Sequence, residues 1–182
     1  MAKVYITSDC FFGREKILEI ANRPFSSLAE MERKIIANWN RRVGKNDLVY
    51  VLGGFAWDPS SAKRVIKKLN GRMIFFINNP TDASIIEVLE EDQILENKHN
   101  MMTMGIWEDS DLNSVLSYFP LAMWEGMNNG TIHFHGYSLF NLKTDLSRQK
   151  RVNCAIDHWG WAPVEVDMIK ELIKDAKEIE TK

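Results

Sequence analysis

Three short apolar runs, separated by helical patterns, constrain the fold of this chain more than any other feature. The runs lie at residues 4–7, 47–52 and 73–77. The helical patterns lie at residues 14–22, 27–43, 60–69 and 85–89. Ser27 and Glu30 have the spacing of a capping box, which marks the start of a helix. This alternation predicts an α/β domain with a parallel sheet, whose functional site is built from the loops that follow the strands.

The second half of the chain has a different pattern, with shorter strand-like segments. These segments lie at residues 101–107, 112–118, 131–135 and 151–156. The first two flank a polar turn and predict a hairpin, so we expect a more antiparallel second half. Residues 166–179 carry apolar side chains at helical spacing, which predicts an amphipathic terminal helix.

Length and composition exclude several classes of function. The chain has 182 residues, 45% of them hydrophobic, which predicts one domain over residues 1–182. A net charge of −2 argues against general nucleic-acid binding. No apolar run approaches the roughly 20 residues of a membrane-spanning helix, and the first residues show no signal peptide. Cys10 and Cys154 form no CxxC pair, which indicates reduced thiols, so we expect a cytoplasmic protein with no membrane partner.

The loops that follow the apolar runs carry the most specific signal in the sequence. In chain order they read SDCFFG, LGGFA, INNPTD, LSYFPL and FHGYSL. They resemble the five signature blocks of the calcineurin-like metallophosphoesterases, in the small stand-alone form found in bacteria and phages. Further segments resemble the same subfamily across nearly the whole chain, namely NRPF, NWN, LNGR and RVNCAIDHWGWAPVEV. The resemblance implies a calcineurin-like phosphoesterase fold, a β-sheet sandwich flanked by helices.

The same resemblance implies that the family's chemistry is lost. In that family the blocks D-x-H, G-D, G-N-H-[DE], a lone H and G-H-x-H hold two divalent metals that activate a hydroxide. Asp9 and Asn79 keep their family side chains. The other positions are replaced, by Phe11, Gly54, Pro80, Tyr118, Tyr137 and Leu139. Because a catalytic zinc site has about three protein ligands, the resemblance implies no metal cofactor and no catalytic residue in this chain.

The replacements are mostly bulky or apolar and should point at one pocket. An emptied site of acids and imidazoles would leave buried polar groups without partners, and carbon atoms in their place remove that cost. Two outcomes are open. The pocket is either a plugged interior or an apolar concave patch that another molecule enters.

Three functions follow as hypotheses. The first is a pseudoenzyme that acts as a protein-binding or regulatory module, which includes a phage- or mobile-element-encoded inhibitor of a host protein. The second is an active phosphoesterase with a non-standard manganese or zinc site, formed by Asp9, Asn79, Asp82, His133 and His135. The third is a nucleotide or phosphate sensor, with Arg14 at a helix start as the anion-binding residue.

Each of these residues also has a plain structural interpretation. Asp9 at a strand end is typical of a side chain that accepts N–H bonds within its own loop, and Asn79 is typical of a turn. His133 and His135 share one strand face and are interpreted as a surface or hydrogen-bonded pair. Cys10 and Arg14 are four residues apart, whereas cysteine phosphatases need a spacing of six, so that mechanism is rejected.

Overall fold

The computed structural model of the chain describes residues 2–92, 104–109, 112–137, 143–145 and 150–180. Leu139 and the predicted start of the hairpin at residues 101–103 lie outside the described residues. The strands are β1 Val4–Thr7, β2 Leu48–Val51, β3 Arg72–Phe75, β4 Met104–Asp109, β5 Leu112–Ser117, β6 Ile132–His135, β7 Arg151–Asn153 and β8 Val164–Glu165. The helices are α1 Ile17–Ile20, α2 Leu28–Arg42, α3 Pro59–Ile66, α4 Pro80–Glu91 and α5 Val166–Glu180.

The strands form two four-stranded sheets, so the structure is a mixed α/β fold in which helices flank both sheets. The first sheet has the order β3-β2-β1-β8, with β1, β2 and β3 parallel and β8 antiparallel to β1. The carboxyl ends of its three parallel strands therefore meet at one edge. The loops after β1, β2 and β3 lie together there, where open α/β sheets place their sites.

The second sheet is less antiparallel than the sequence predicts. Its order is β4-β5-β6-β7, and the β4–β5 pair forms the predicted hairpin, with Met104 opposite Ser117. However, β5 is parallel to β6 and β6 is parallel to β7, which corrects the expectation for this half. Periodicity identifies a strand but not its direction, and the long connections around β6 allow the chain to return to the same end of the sheet.

Two hydrophobic cores lie on opposite faces of the first sheet. Tyr5 of β1 faces the helices and packs in a core with Ile35 and Trp39 of α2. Ile6, the next residue, faces the second sheet and packs in a core with Phe134 of β6. Successive side chains of a strand point to opposite faces, so both cores follow from the uninterrupted apolar sequence of the strands.

Most helix predictions hold, and one is wrong about where the helix begins. Ser27 caps α2 by accepting a hydrogen bond from Glu30 N, as the capping-box spacing predicts. Helix α4 begins at Pro80 and not near residue 85, because Asn79 is its N-cap and proline suits the first helical position. No helix within the described ranges is long and apolar enough to cross a bilayer.

Candidate functional site

The loop after β1 has an unusual backbone. Asp9 and Phe11 both have positive φ angles, 58° and 51°, a backbone conformation that residues other than glycine rarely adopt. The loop runs alongside the loop after β2, with Asp9 N donating to Gly53 O at 3.0 Å and Phe11 N donating to Gly54 O at 2.8 Å. These bonds fix the two loops to each other and turn the Asp9 side chain into the protein.

The Asp9 carboxylate is completely buried and accepts three hydrogen bonds. Oδ1 accepts from the Tyr118 hydroxyl at 2.8 Å, and Oδ2 accepts from Ser8 Oγ and Tyr137 N, each at 2.9 Å. Burial raises the pKa of Asp9 from its ordinary 3.8 to about 6, although these three bonds act to lower it. The expectation of bonds within its own loop is therefore wrong in part, because Tyr118 and Tyr137 belong to distant loops.

A buried ion pair supports the same loop from below. Arg23 donates to the carbonyl oxygens of Asp9 and Cys10 at 2.6 and 3.0 Å. It also makes a two-pronged ion pair with Asp157, at 2.9 and 2.7 Å. The NRPF segment and the late RVNCAIDHWGW segment thus meet beneath the loop. Burial raises the pKa of the Cys10 thiol to about 12, so it stays protonated at neutral pH.

The Tyr118 ring lies in a slot made by glycines. A Cβ added to Gly53 would lie 2.7 Å from the Tyr118 ring, and one added to Gly136 would lie 2.9 Å from it. At Gly54, where φ is 63°, a Cβ would lie 2.9 Å from Tyr118 Oη and 3.1 Å from the Phe11 ring. The space that a side chain at position 54 would use is therefore filled by Tyr118 and Phe11.

The amide of Asn79 is used entirely within its own helix start. Its Oδ1 accepts from Asp82 N at 3.0 Å, and its Nδ2 donates to Asp82 Oδ2 at 2.8 Å. Asn78 N lies 3.3 Å from the same carboxylate oxygen. Burial raises the pKa of Asp82, opposed by hydrogen bonds from neighbouring groups. A carboxylate of the protein itself thus occupies the amino-terminal end of α4, where an external anion would otherwise be attracted.

Above these residues is an open cleft of about 510 Å³. It contains the described positions at which the family blocks are replaced, together with Asn79 and Arg14. Its lining residues are Phe11, Arg14, Gly54, Ala56, Trp57, Asn79, Pro80, Thr81, Asp82, Tyr118, Phe119 and Tyr137. The two expected outcomes occur together, since Tyr118 and Phe11 fill the base and the space above them stays open.

Trp57 and Phe119 line the cleft, but the sequence interpretation does not select them. Their side chains are 53% and 44% exposed, and Tyr137 beside them is 58% exposed. The rings of Phe119 and Tyr137 are 4.7 Å apart, and both contact the ring of Tyr118. The signal was nevertheless present: Trp57 directly follows LGGFA, and Phe119 stands inside LSYFPL.

Arg14 lines the cleft, but it does not lie at a helix start as predicted, because α1 begins at Ile17 and its N-cap is Lys16. Its guanidinium carbon is 4.4 Å from the centre of the Trp57 ring and 5.1 Å from that of Phe11. Its backbone N–H donates to Phe11 O at 3.1 Å, whereas the N–H groups of its guanidinium make no hydrogen bond or ion pair within the described residues. The two aromatic rings hold the guanidinium in place by cation–π contact, which leaves its N–H groups available to a ligand.

His133 and His135 lie on the face of β6 opposite the inter-sheet core, and neither lines the cleft. Both are fully buried, so they are not the surface pair that was one expectation. His133 Nε2 accepts from Leu121 N at 3.0 Å, and its Nδ1 is 3.2 Å from Val115 O. Burial lowers the pKa of His133 to about 4, so it is neutral. His135 Nδ1 is 3.0 Å from Gly136 O.

A dinuclear metal centre of the kind that the resemblance describes does not fit the side chains present. Both oxygens of Asp9 already accept hydrogen bonds from protein groups, and Gly54 has no donor atom where a bridging carboxylate is needed. Both atoms of the Asn79 amide are also used. Among the described residues, no three His, Cys, Asp or Glu side chains come together as a metal site.

Comparison with known proteins identifies relatives but no activity. No protein-family model matches the chain. The uncharacterized protein MJ1445 of Methanocaldococcus jannaschii is 28% identical over 184 residues, which covers 100% of this chain and 97% of that protein. The crystal structure of the protein of unknown function AQ665 from Aquifex aeolicus matches with a TM-score of 0.72 and 20% identity, over 95% of this chain and 100% of that one. The match to AQ665 shows a shared fold.

Proposed function

We propose that this chain is a catalytically inactive protein of the calcineurin-like metallophosphoesterase type that acts by binding another protein. The observation that carries the proposal is the hydrogen bond of 2.8 Å between the Tyr118 hydroxyl and the Asp9 carboxylate, at the base of an open aromatic cleft. The protein's own side chains fill the position at which the family holds its metals. A surface suited to binding lies directly above that position.

The arrangement of the loops supports the family assignment within this proposal. The blocks SDCFFG, LGGFA, INNPTD and LSYFPL, and the start of FHGYSL, all contribute residues to the cleft or to its base. They come from loops after strands of both sheets, so their proximity is a property of the fold.

The chemistry of the site supports inactivity. Phosphoester hydrolysis in this family needs a metal-bound hydroxide and a group that protonates the leaving oxygen. Position 80 carries a proline, which has no proton to donate, and position 54 has no side chain. Asp9 is the remaining acid at the base, and its two oxygens face Tyr118, Ser8 and the Tyr137 amide.

The exposed aromatic side chains support binding. Trp57, Phe119 and Tyr137 are among the most exposed large hydrophobic side chains of the described residues, and they lie around one cleft. Water-exposed aromatic surface that is gathered in a concavity is typical of protein interaction sites. A regulatory or inhibitory module is the kind of function that such a site supports.

The test combines metal analysis with a hydrolysis assay on the purified full chain. We expect much less than one manganese or zinc ion per chain and no hydrolysis of bis-p-nitrophenyl phosphate with added manganese. A metal-containing phosphoesterase in the same assay is the positive control. Stoichiometric metal, together with turnover that disappears in Asp9→Ala and persists in Met123→Ala, would show that the chain is an enzyme and would overturn the proposal.

A further inference from the structure

The cleft combines apolar and charged features that specify a ligand more closely than "another protein". Three exposed aromatic side chains line it, namely Trp57, Phe119 and Tyr137. Its charged lining residues are Arg14 and Asp82. Asp82 is 7% exposed and already accepts hydrogen bonds, whereas Arg14 has no anionic partner within the described residues. The cleft therefore presents an aromatic surface beside one available cation.

The backbone of the cleft is not built for phosphate. Phosphate sites in proteins normally use several backbone N–H groups, often at a helix start, in addition to cations. Here the amides of Asp9, Phe11 and Tyr137 all donate within the protein. The amino-terminal end of α4 is occupied by Asp82. A doubly charged phosphate would face a single guanidinium, that of Arg14, and the carboxylate of Asp82.

A single carboxylate matches the site better. A guanidinium binds a carboxylate through two parallel N–H···O bonds, and its planar faces stay free for aromatic rings. The guanidinium carbon of Arg14 lies over the rings of Trp57 and Phe11, and its N–H groups have no protein acceptor within the described residues, so they can bind a carboxylate.

We propose that the cleft binds an extended segment of a partner protein that carries an aromatic or large apolar anchor next to an Asp or Glu side chain. The anchor packs among Trp57, Phe119 and Tyr137, and the carboxylate binds the Arg14 guanidinium. Thr81 is exposed on the wall of the cleft, where its hydroxyl can hydrogen-bond the backbone of the segment. This inference rests on the proposed function in that it assigns the cleft to a protein ligand.

The experiment is a selection of random 12-residue peptides displayed on phage against the immobilised full chain. We expect the enriched peptides to contain an aromatic or large apolar residue within two positions of Asp or Glu. A synthetic copy of the best peptide is then titrated against wild type, Arg14→Gln and Trp57→Ala. Each variant should weaken binding by about tenfold or more, since each removes either a charge-assisted pair or the aromatic wall.

Two matched variants outside the cleft control for general effects. Arg33→Gln removes an exposed cation of α2, and Met123→Ala removes an apolar side chain that is 81% exposed. Both should bind the peptide within about twofold of wild type. Replacing the acidic residue of the peptide by its amide should weaken binding to wild type by about tenfold, yet leave binding to Arg14→Gln unchanged, because the partner of the carboxylate is already gone.

Several results would overturn this inference. They are a selection with no enrichment, enriched peptides without an acid, or a peptide whose affinity is the same for wild type and Arg14→Gln. So would a rise in melting temperature with AMP or inorganic phosphate that Arg14→Gln abolishes, since the anion would then be a phosphate. None of these results changes the metal content or turnover, which test the proposed inactivity separately.

Discussion

The loop that carries Asp9 is supported differently on its two sides. Below it, Arg23 and Asp157 form a buried ion pair that holds the loop's carbonyl oxygens. Above it, Tyr118 and Phe11 pack as carbon-rich side chains against the loop and its neighbour. The lower support is an ion pair with its hydrogen bonds, whereas the upper support is mainly aromatic packing. The difference teaches that one loop is stabilised by two unlike means, an ion pair on one side and aromatic packing on the other, in addition to its hydrogen bonds to the loop after β2.

The largest effect should come from breaking the lower support. We expect Arg23→Met to lower the free energy of unfolding by about 3–5 kcal/mol, because it leaves Asp157 uncompensated and two carbonyl groups without donors. Urea unfolding measures this. The control is Lys63→Met, whose ion pair with Asp92 is exposed and should contribute about 0–1 kcal/mol. Equal losses in the two variants would contradict the assigned role of Arg23.

The buried acid between the two sides should make stability depend on pH. The pKa of Asp9 is about 6 in the folded state against an ordinary value of 3.8, so the folded state binds more protons between these values. The contribution of Asp9 to stability therefore falls as pH rises from about 4 to 6, by on the order of 3 kcal/mol. Asp9→Asn should lack this fall, and urea unfolding of both proteins at pH 4, 5, 6 and 7 tests it.

Asp82 does not affect the comparison of wild type with Asp9→Asn. Its pKa is also raised by burial, so its contribution changes in the same direction, but it is present in both proteins. The quantity to examine is the difference in unfolding free energy between wild type and Asp9→Asn. A difference that stays constant over this pH range would show that Asp9 titrates normally.

The upper side can be tested by placing at position 54 the carboxylate that the sequence resemblance implies. Gly54→Asp should lower the free energy of unfolding by about 2 kcal/mol, because the φ of 63° disfavours a side chain and its Cβ would lie 2.9 Å from Tyr118 Oη. The variant should also gain no manganese-dependent hydrolysis. Gly44→Ala, at a position without a positive φ, should change stability by less than about 1 kcal/mol. A stable Gly54→Asp would mean that Tyr118 moves aside easily.

A smaller effect is expected from the hydroxyl that joins the two sides. Tyr118→Phe leaves one oxygen of Asp9 buried without its donor, which should lower the free energy of unfolding by about 1–2 kcal/mol. It should also raise the pKa of Asp9 further, since the bond from Tyr118 lowers it. Tyr50→Phe is the control, because the Tyr50 hydroxyl makes no hydrogen bond among the described residues. Equal stability of both variants would contradict the assigned bond.

The smallest effect on stability should come from the rim of the cleft. Trp57 is 53% exposed, so Trp57→Ala should change the free energy of unfolding by about 0.5 kcal/mol or less. The same variant should lose peptide binding, which separates the surface role of Trp57 from the structural role of Tyr118. A large loss of stability in Trp57→Ala would instead show that this side chain contributes to the hydrophobic core.

Much of the fold could be predicted from local patterns. β1 has the bounds that its apolar run predicts, and Ser27 caps α2 as its spacing with Glu30 indicates. The direction of β5, β6 and β7 could not be predicted in this way, since parallel and antiparallel strands have similar local sequences. The start of α4 was predictable from Asn79 and Pro80, which are a typical N-cap and first helical residue. The prediction relied on apolar spacing alone and therefore began the helix too late.

Most residues that line the cleft were also predictable, whereas the hydrogen-bond partners of Asp9 were not. The resemblance selects Phe11, Pro80, Tyr118 and Tyr137, and the structure brings these residues to one cleft. It does not select Trp57, because the position corresponds to no family ligand. Which donors satisfy Asp9 depends on the close approach of loops from both sheets, and no local pattern carries that information.

The sequence by itself determined which atoms exist at each position. Gly54 offers no carboxylate and Pro80 no proton, whatever the fold. Only the tertiary structure decided that a hydroxyl 109 residues away would lie on Asp9, because long-range contacts depend on how the two sheets pack. The same packing left Trp57 and Phe119 facing water around Arg14, and it thereby made an open cleft beside the hydrogen-bonded pair of Asp9 and Tyr118.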